Sequence, residues 1–229
     1  GNGYDMISFH GDWGREMQRH RIPVTGGTAV NASVTGFSSN QANPFTMIAA
    51  PYTTEEQGEC IACNLIYSGN HYEAAHINVQ NKTRFVAGIN PEMFSWKLEP
   101  GESFETPEAV FTFSDTGFGG ISEHMHSFVR EHVVRGEWKK KERPVLLNSW
   151  EAAYFNFNES KLLKMAKTGK ELGVELFVLD DGWFGERNMD DSSLGDWFVN
   201  KDKLPNGLQG VSDICKKNGL KFGLWFEPE

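Results

Sequence analysis

From Val145 onward the chain alternates three short apolar runs with two helical stripes, and few folds accept that rhythm. The runs are Val145-Leu146-Leu147, Val174 to Leu179 and Leu220 to Phe226. Between them, Ser160 to Leu172 carries Leu162, Leu163, Ala166 and Leu172 at helical spacing, with Gly173 as a stop. Leu208 to Lys217 does the same with Leu208, Val211, Ile214 and Cys215, closed by Asn218-Gly219. Apolar runs without polar alternation are strands buried on both faces, and such strands joined by helices form a parallel sheet. A closed (β/α)8 barrel takes about 250 residues, and the stretch after Pro144 supplies about a third of that. If this is a barrel, the chain holds its first three strands.

The first half keeps a different rhythm. Residues 1–118 are rich in Gly, Asn, Ser, Thr and aromatics, with short β-prone runs between turn signals. Thr83 to Ile89, Phe94 to Leu98 and Ala109 to Phe113 read as strands, and Pro100-Gly101 as a turn. Strands punctuated in this way predict an antiparallel β-sandwich. Gly117-Phe118-Gly119-Gly120 follows no Rossmann-type arrangement and reads as a turn. Ile121, Met125, Phe128, Val129, His132 and Val133 then form one apolar stripe, and the charged stretch Arg135 to Arg143 ends at Pro144. The expected organisation is a sandwich over 1–118, a linking helix and connector over 119–143, and a β/α region over 144–229.

Charge removes some functions. The net charge of −9 lacks the basic footprint that phosphate backbones require, so nucleic acid is not an expected partner. No apolar run approaches the roughly 18 residues of a membrane span, so no membrane partner is expected either. The cysteines are Cys60, Cys63 and Cys215, an odd number that argues against a disulfide framework and fits a reducing, cytoplasmic setting. Cys60-x-x-Cys63 has the spacing of a redox or zinc half-site, but its surroundings read as a strand and no second pair completes a zinc cage. His124 and His126, two apart on a helix, do not share a face, and with His132 they read as surface or partly buried side chains. Asn31, Asn81 and Asn158 open glycosylation sequons that matter only in a secretory setting. The start, Gly1-Asn2-Gly3, carries neither Met nor a signal peptide and reads as a cut.

Chemistry gathers where the β/α strands end. The first run leads into Asn148-Ser149-Trp150-Glu151, the second into Asp180-Asp181-Gly182-Trp183, the third into Trp225-Phe226-Glu227-Pro228-Glu229. In parallel β/α folds this edge is the binding face. Ionised carboxylates accept hydrogen bonds from hydroxyls, and flat indoles pack on the C–H face of a pyranose, so the combination suits a sugar. Two adjacent acids after a buried strand are costly unless solvated or paired. A helix cap, a loop salt bridge or a hard-cation site would also explain them. The connection from Gly182 to Gly207 is long and holds Trp183, Phe184, Trp197 and Phe198, which either contact a ligand or pack the loop down.

Four ordered motifs carry a family resemblance. Leu147-Asn148-Ser149-Trp150-Glu151-Ala152-Ala153-Tyr154-Phe155 resembles the first barrel strand of family 36 α-galactosidases. Phe177-Val178-Leu179-Asp180-Asp181-Gly182-Trp183-Phe184-Gly185 is similar to the second. Leu194-Gly195-Asp196-Trp197 with Lys203-Leu204-Pro205-Asn206-Gly207-Leu208 resembles the loop that follows, and Lys221-Phe222-Gly223-Leu224-Trp225-Phe226-Glu227-Pro228-Glu229 the third strand. Asn156 stands where the family commonly has Asp, away from the proposed sugar contacts.

The resemblance implies an N-terminal β-supersandwich, a (β/α)8 barrel and retaining hydrolysis of terminal α-linked galactose from melibiose or raffinose. It implies that Asp180 and Asp181 bind galactose hydroxyls around O4 and O6, and that Trp150 and Trp225 wall the site. The family nucleophile lies in a Lys-Trp-Asp motif on the next strand and its acid/base further along, so no catalytic residue is assigned within these 229 residues. No cofactor and no metal are expected, and the full-length protein is expected to be a homo-oligomer, a dimer or a tetramer. An α-N-acetylgalactosaminidase, a raffinose-synthase-like galactosyltransferase and a non-catalytic carbohydrate-binding fragment are the competing expectations.

Overall fold

Met6 and Ile7 are neighbours in sequence and both are buried, at 1% and 0% exposure. Successive strand residues point to opposite faces, so their strand is covered on both sides. In the computed structural model, which describes residues 3–227, that strand is β1 (Tyr4–His10). After it come β2 (Gln18–Val24), β3 (Gly27–Ala32), β4 (Phe45–Ala49), β5 (Cys60–Ile66), β6 (His71–Ile77), β7 (Thr83–Ile89) and β8 (Glu108–Ser114). They form an antiparallel five-stranded sheet in the order β2-β1-β4-β5-β8 and an antiparallel three-stranded sheet in the order β3-β6-β7. Met6, Val24, Ala29 and Ala75 pack together, joining the two sheets. Ile7, Met47, Ala49, Cys60 and Ala62 pack from the other face against Phe118 and Ile121 of helix α1 (Gly117–Phe128). The expected sandwich is present, with a helix laid on its larger sheet.

The Gly117–Gly120 run opens that helix instead of forming a turn. Backbone N–H groups of Gly117, Phe118 and Gly119 donate to the carbonyls of Gly58, Thr54 and Glu55 at 2.9, 2.9 and 2.8 Å. The strand-connecting loop thus satisfies donors that a helix start leaves open. A Cβ on Gly117 would sit 2.5 Å from the Thr54 oxygen, and the residue has φ +83°, so only glycine lets the two backbones meet. The apolar stripe expected to reach Val133 remains α-helical to Phe128 and ends in a π-helical turn, Val129–Val133.

Phe94–Leu98 is not a strand: the segment has turn hydrogen bonds, Phe94 N–H to Pro91 O and Glu102 N–H to Glu99 O. Its β-prone composition finds no ladder, and β propensity without a pleated surface to fit carries little weight. Cys60 and Cys63 lie in β5, buried and free. Burial, assisted by the charge of Glu73, pushes the Cys63 thiol up to about 12, which leaves it protonated and unreactive.

This first unit reaches to Lys139, and a second compact unit begins at Lys140. The second contains β9 (Leu146–Asn148), a short α2 (Trp150–Ala153), α3 (Glu159–Glu171), β10 (Leu176–Leu179), α4 (Gly207–Lys217) and β11 (Lys221–Leu224). Its sheet runs β11-β10-β9 with both pairings parallel, so α3 and α4 are the crossovers. Asn158 caps α3 by accepting the Lys161 N–H at 3.0 Å. Leu162 and Ala166 of α3, Val211 and Cys215 of α4, and Phe177 and Leu179 of β10 share one core. Each large side chain buried there contributes roughly 1.5–3 kcal/mol. Among the described residues no helix is long and apolar enough to cross a membrane.

Candidate functional site

β10 ends at Leu179, and Asp180 and Asp181 follow directly, 9% and 6% exposed. Asp180 is tied to the end of β9. Its N–H donates to Ser149 Oγ at 3.0 Å, and the Asn148 side-chain amide donates to its Oδ2. Its Oδ1 accepts the Asp181 N–H at 2.7 Å. The Asn148 Oδ1 in turn accepts the Trp150 N–H at 2.7 Å. One asparagine therefore fixes both the acid on β10 and the start of the tryptophan turn after β9.

Asp181 is an ion-pair carboxylate. Arg187 Nε donates to its Oδ1 at 2.9 Å and Nη2 to its Oδ2 at 2.9 Å, while the Gly182 N–H reaches Oδ1 at 2.6 Å. The two side chains are 3% and 8% exposed. Gly182 turns the chain at φ +90°, where a Cβ would press on Phe155 at 3.0 Å. A second cation stands nearby: Lys203 Nζ donates to the carbonyls of Gly182 and Arg187, both at 2.9 Å, and lies 5.1 Å from the centre of the Phe157 ring. Burial pushes the Lys203 ammonium below its ordinary value, and the charge of Asp181 opposes that shift. Asp181 is sustained here by the arginine, with the lysine charge nearby, and Asp180 by neutral donors.

The tryptophans flank this pair along the strand ends. Trp225 follows β11, its N–H donating to Leu179 O at 3.0 Å. Trp150 follows β9, half-buried, with its ring edge-on to Phe155 at 4.9 Å and Tyr154 at 5.1 Å. Thus Trp150, Asp180, Asp181 and Trp225 all sit at the C-terminal ends of three adjacent parallel strands. Pro228 and Glu229 of the third motif lie outside the described residues. In the long connection Trp183 and Phe184 are buried, Trp183 stacked on Trp197 and Phe184 tilted against it, and Trp183 Nε1 donates to Trp225 O at 3.0 Å. These aromatics pack the loop down and hold the strand-three backbone; Phe198 alone of the four is largely exposed.

Of the alternatives open for the acid pair, the loop salt bridge describes Asp181. Arg187 had a sequence signal that the motif reading did not use. It is the one arginine after Pro144, and a buried acid near it needs a partner. Asn148 lies within the first strand-end motif, but only the fold shows it reaching Asp180.

The chain is similar to known proteins along nearly its whole length. The Melibiase family model matches residues 103–229, and the glycosyl hydrolase family 36 N-terminal domain model matches residues 1–99. Alpha-galactosidase AgaA of Geobacillus stearothermophilus is 48% identical over 226 residues, covering 99% of this chain and 31% of that protein. Alpha-galactosidase Mel36A of Lactobacillus acidophilus is 45% identical, with 99% and 31% covered. The crystal structure of AgaA superposes with a TM-score of 0.93, covering 100% of this chain and 32% of that one. Variants of AgaA have been crystallised with 1-deoxygalactonojirimycin, stachyose and raffinose. The chain spans about a third of the length of these relatives.

Proposed function

The chain belongs to the Melibiase family, and on that premise we propose that the protein containing it is an α-galactosidase. It hydrolyses terminal α-linked galactose from oligosaccharides of the melibiose and raffinose type with retention of configuration. In this reading residues 1–118 form part of the β-supersandwich, 119–143 connect it, and 144–229 open the catalytic barrel. The full-length protein works in the cytoplasm as a homo-oligomer, a dimer or a tetramer.

The observation that carries the reading is the acid pair at the end of β10, with an indole on the strand to each side. Asp180 and Asp181 accept hydrogen bonds from galactose hydroxyls around O4 and O6. Trp150 and Trp225 wall the sugar, offering apolar surface to its C–H face. Retaining hydrolysis needs two carboxyl groups about 5 Å apart across the scissile bond. Asp181 is ion-paired with Arg187 and Asp180 is held by Asn148 and a backbone N–H, and in this reading both serve as binding groups. The nucleophile and the acid/base belong to segments outside these residues.

Hydrolysis of p-nitrophenyl α-galactoside, by the full-length protein and by the 229-residue segment side by side, tests the reading. Turnover by the full-length protein alone is expected. Turnover by the segment would overturn the division of labour, and none from either folded protein would overturn the activity.

A further inference from the structure

Resting on the galactose-pocket reading, we propose that Arg187 is a positioning residue for sugar binding that acts through Asp181 and makes the two acids unequal. An ionised carboxylate offers about four lone-pair sites. On Asp181 the guanidinium Nε bridges the two oxygens, at 2.9 Å from Oδ1 and 3.2 Å from Oδ2, Nη2 donates to Oδ2 at 2.9 Å, and the Gly182 N–H takes a second site on Oδ1. What is left for a substrate hydroxyl is the side of Oδ2 turned away from the fork, and the fork decides where it points. Asp180 differs. Its donors, the Asn148 amide and the Asp181 N–H, are neutral, so its negative charge remains available to hydroxyls.

Arg187 is itself fixed before any ligand arrives. Its Nη1 donates to the carbonyls of Asp190 and Ser192 at 2.6 and 2.9 Å, and its own carbonyl accepts from Lys203. The guanidinium lies 5.7 Å from the centre of the Phe155 ring and 5.9 Å from that of Phe184. Every hydrogen bond that orients Asp181 therefore exists in the free protein, so binding does not have to order them. A planar fork can aim a carboxylate in this way; a lysine ammonium, a point charge on a flexible stem, can neutralise it but cannot aim it.

The test uses the full-length protein with Arg187→Lys, Asp181→Asn and their combination. The readouts are kcat and KM for p-nitrophenyl α-galactoside and inhibition by galactose. Arg187→Lys keeps the buried charge paired, so the fold is retained while the fork is lost. Galactose inhibition is expected to weaken at least roughly tenfold, the loss of one charge-assisted contact. In the Asp181→Asn background the same change is expected to add nothing. An equal loss in both backgrounds would show that Arg187 acts on the fold and not through Asp181, and would overturn the proposal. The pair Arg187→Gln with Asp181→Asn removes both charges together and guards against misfolding. Inhibition no weaker than in Asp181→Asn alone supports the proposal, and a further drop overturns it. If Asp181→Asn leaves galactose inhibition unchanged, the pocket reading itself fails and the inference with it.

Discussion

His71 and Glu73 show how much one buried pair dictates at the scale of the residue. Both are 0% exposed. The Ala42 carbonyl, 2.6 Å from His71 Nε2, can only accept, so Nε2 carries a proton. Nδ1 lies 3.1 Å from Glu73 Oε2, and a second proton has to sit between them. Asn31 donates to the same Glu73 oxygen at 2.8 Å, and the charge of Glu73 also acts on the thiol of Cys63. Burial pushes the imidazole pKa down, but the hydrogen bond and charge of Glu73, with the Ala42 carbonyl, outweigh it and the net shift is upward. The native state then holds the proton more tightly than the unfolded chain. The stabilisation is fully present below about pH 6.5, the unfolded value, and is lost as pH rises through the higher folded value. The urea midpoint of the full-length protein's sandwich transition is expected to fall between about pH 6 and pH 9. Glu73→Gln is expected to flatten that fall; a wild-type midpoint that stays level over the range would contradict the pairing.

Single residues also mark where sequence reading succeeds and stops. Asp180 and Asp181 were legible because adjacent acids after a buried strand are a physical anomaly. Their unequal surroundings were not legible, since Asn148 and Arg187 reach them only once the strands and the loop are folded.

At the scale of elements, helices α3 and α4 were readable to within a residue because their stripes meet a core at helical spacing. Gly117-Phe118-Gly119-Gly120 was misread because glycine there answers a distant loop and not a local turn. The cost of adding a methyl group separates those two roles. Gly117→Ala combines a left-handed φ with a collision against the Thr54 carbonyl, and about 2–4 kcal/mol of destabilisation is expected. Gly136 has φ +68° but nothing within 4 Å of an added Cβ, so Gly136→Ala is expected to cost only about 1 kcal/mol. Equal losses in denaturant melts of the two variants would remove the close-approach explanation.

For the whole molecule, the change of rhythm near Pro144 was enough to separate an antiparallel sandwich from a parallel β/α region. The strand order β2-β1-β4-β5-β8 was not readable, because pairing between non-consecutive strands depends on long-range packing that no local pattern encodes. The short parallel sheet, by contrast, has its strands in chain order, and that order is what puts Trp150, the acid pair and Trp225 side by side. The central claim is that this row binds the galactosyl group. Its most direct test is kcat/KM for p-nitrophenyl α-galactoside with full-length wild type and Asp180→Asn. Asp180 carries the charge that Arg187 leaves uncompensated, so a fall of at least about tenfold is expected, with an unchanged circular dichroism spectrum. An Asp180→Asn protein that turns over substrate like wild type would contradict the claim.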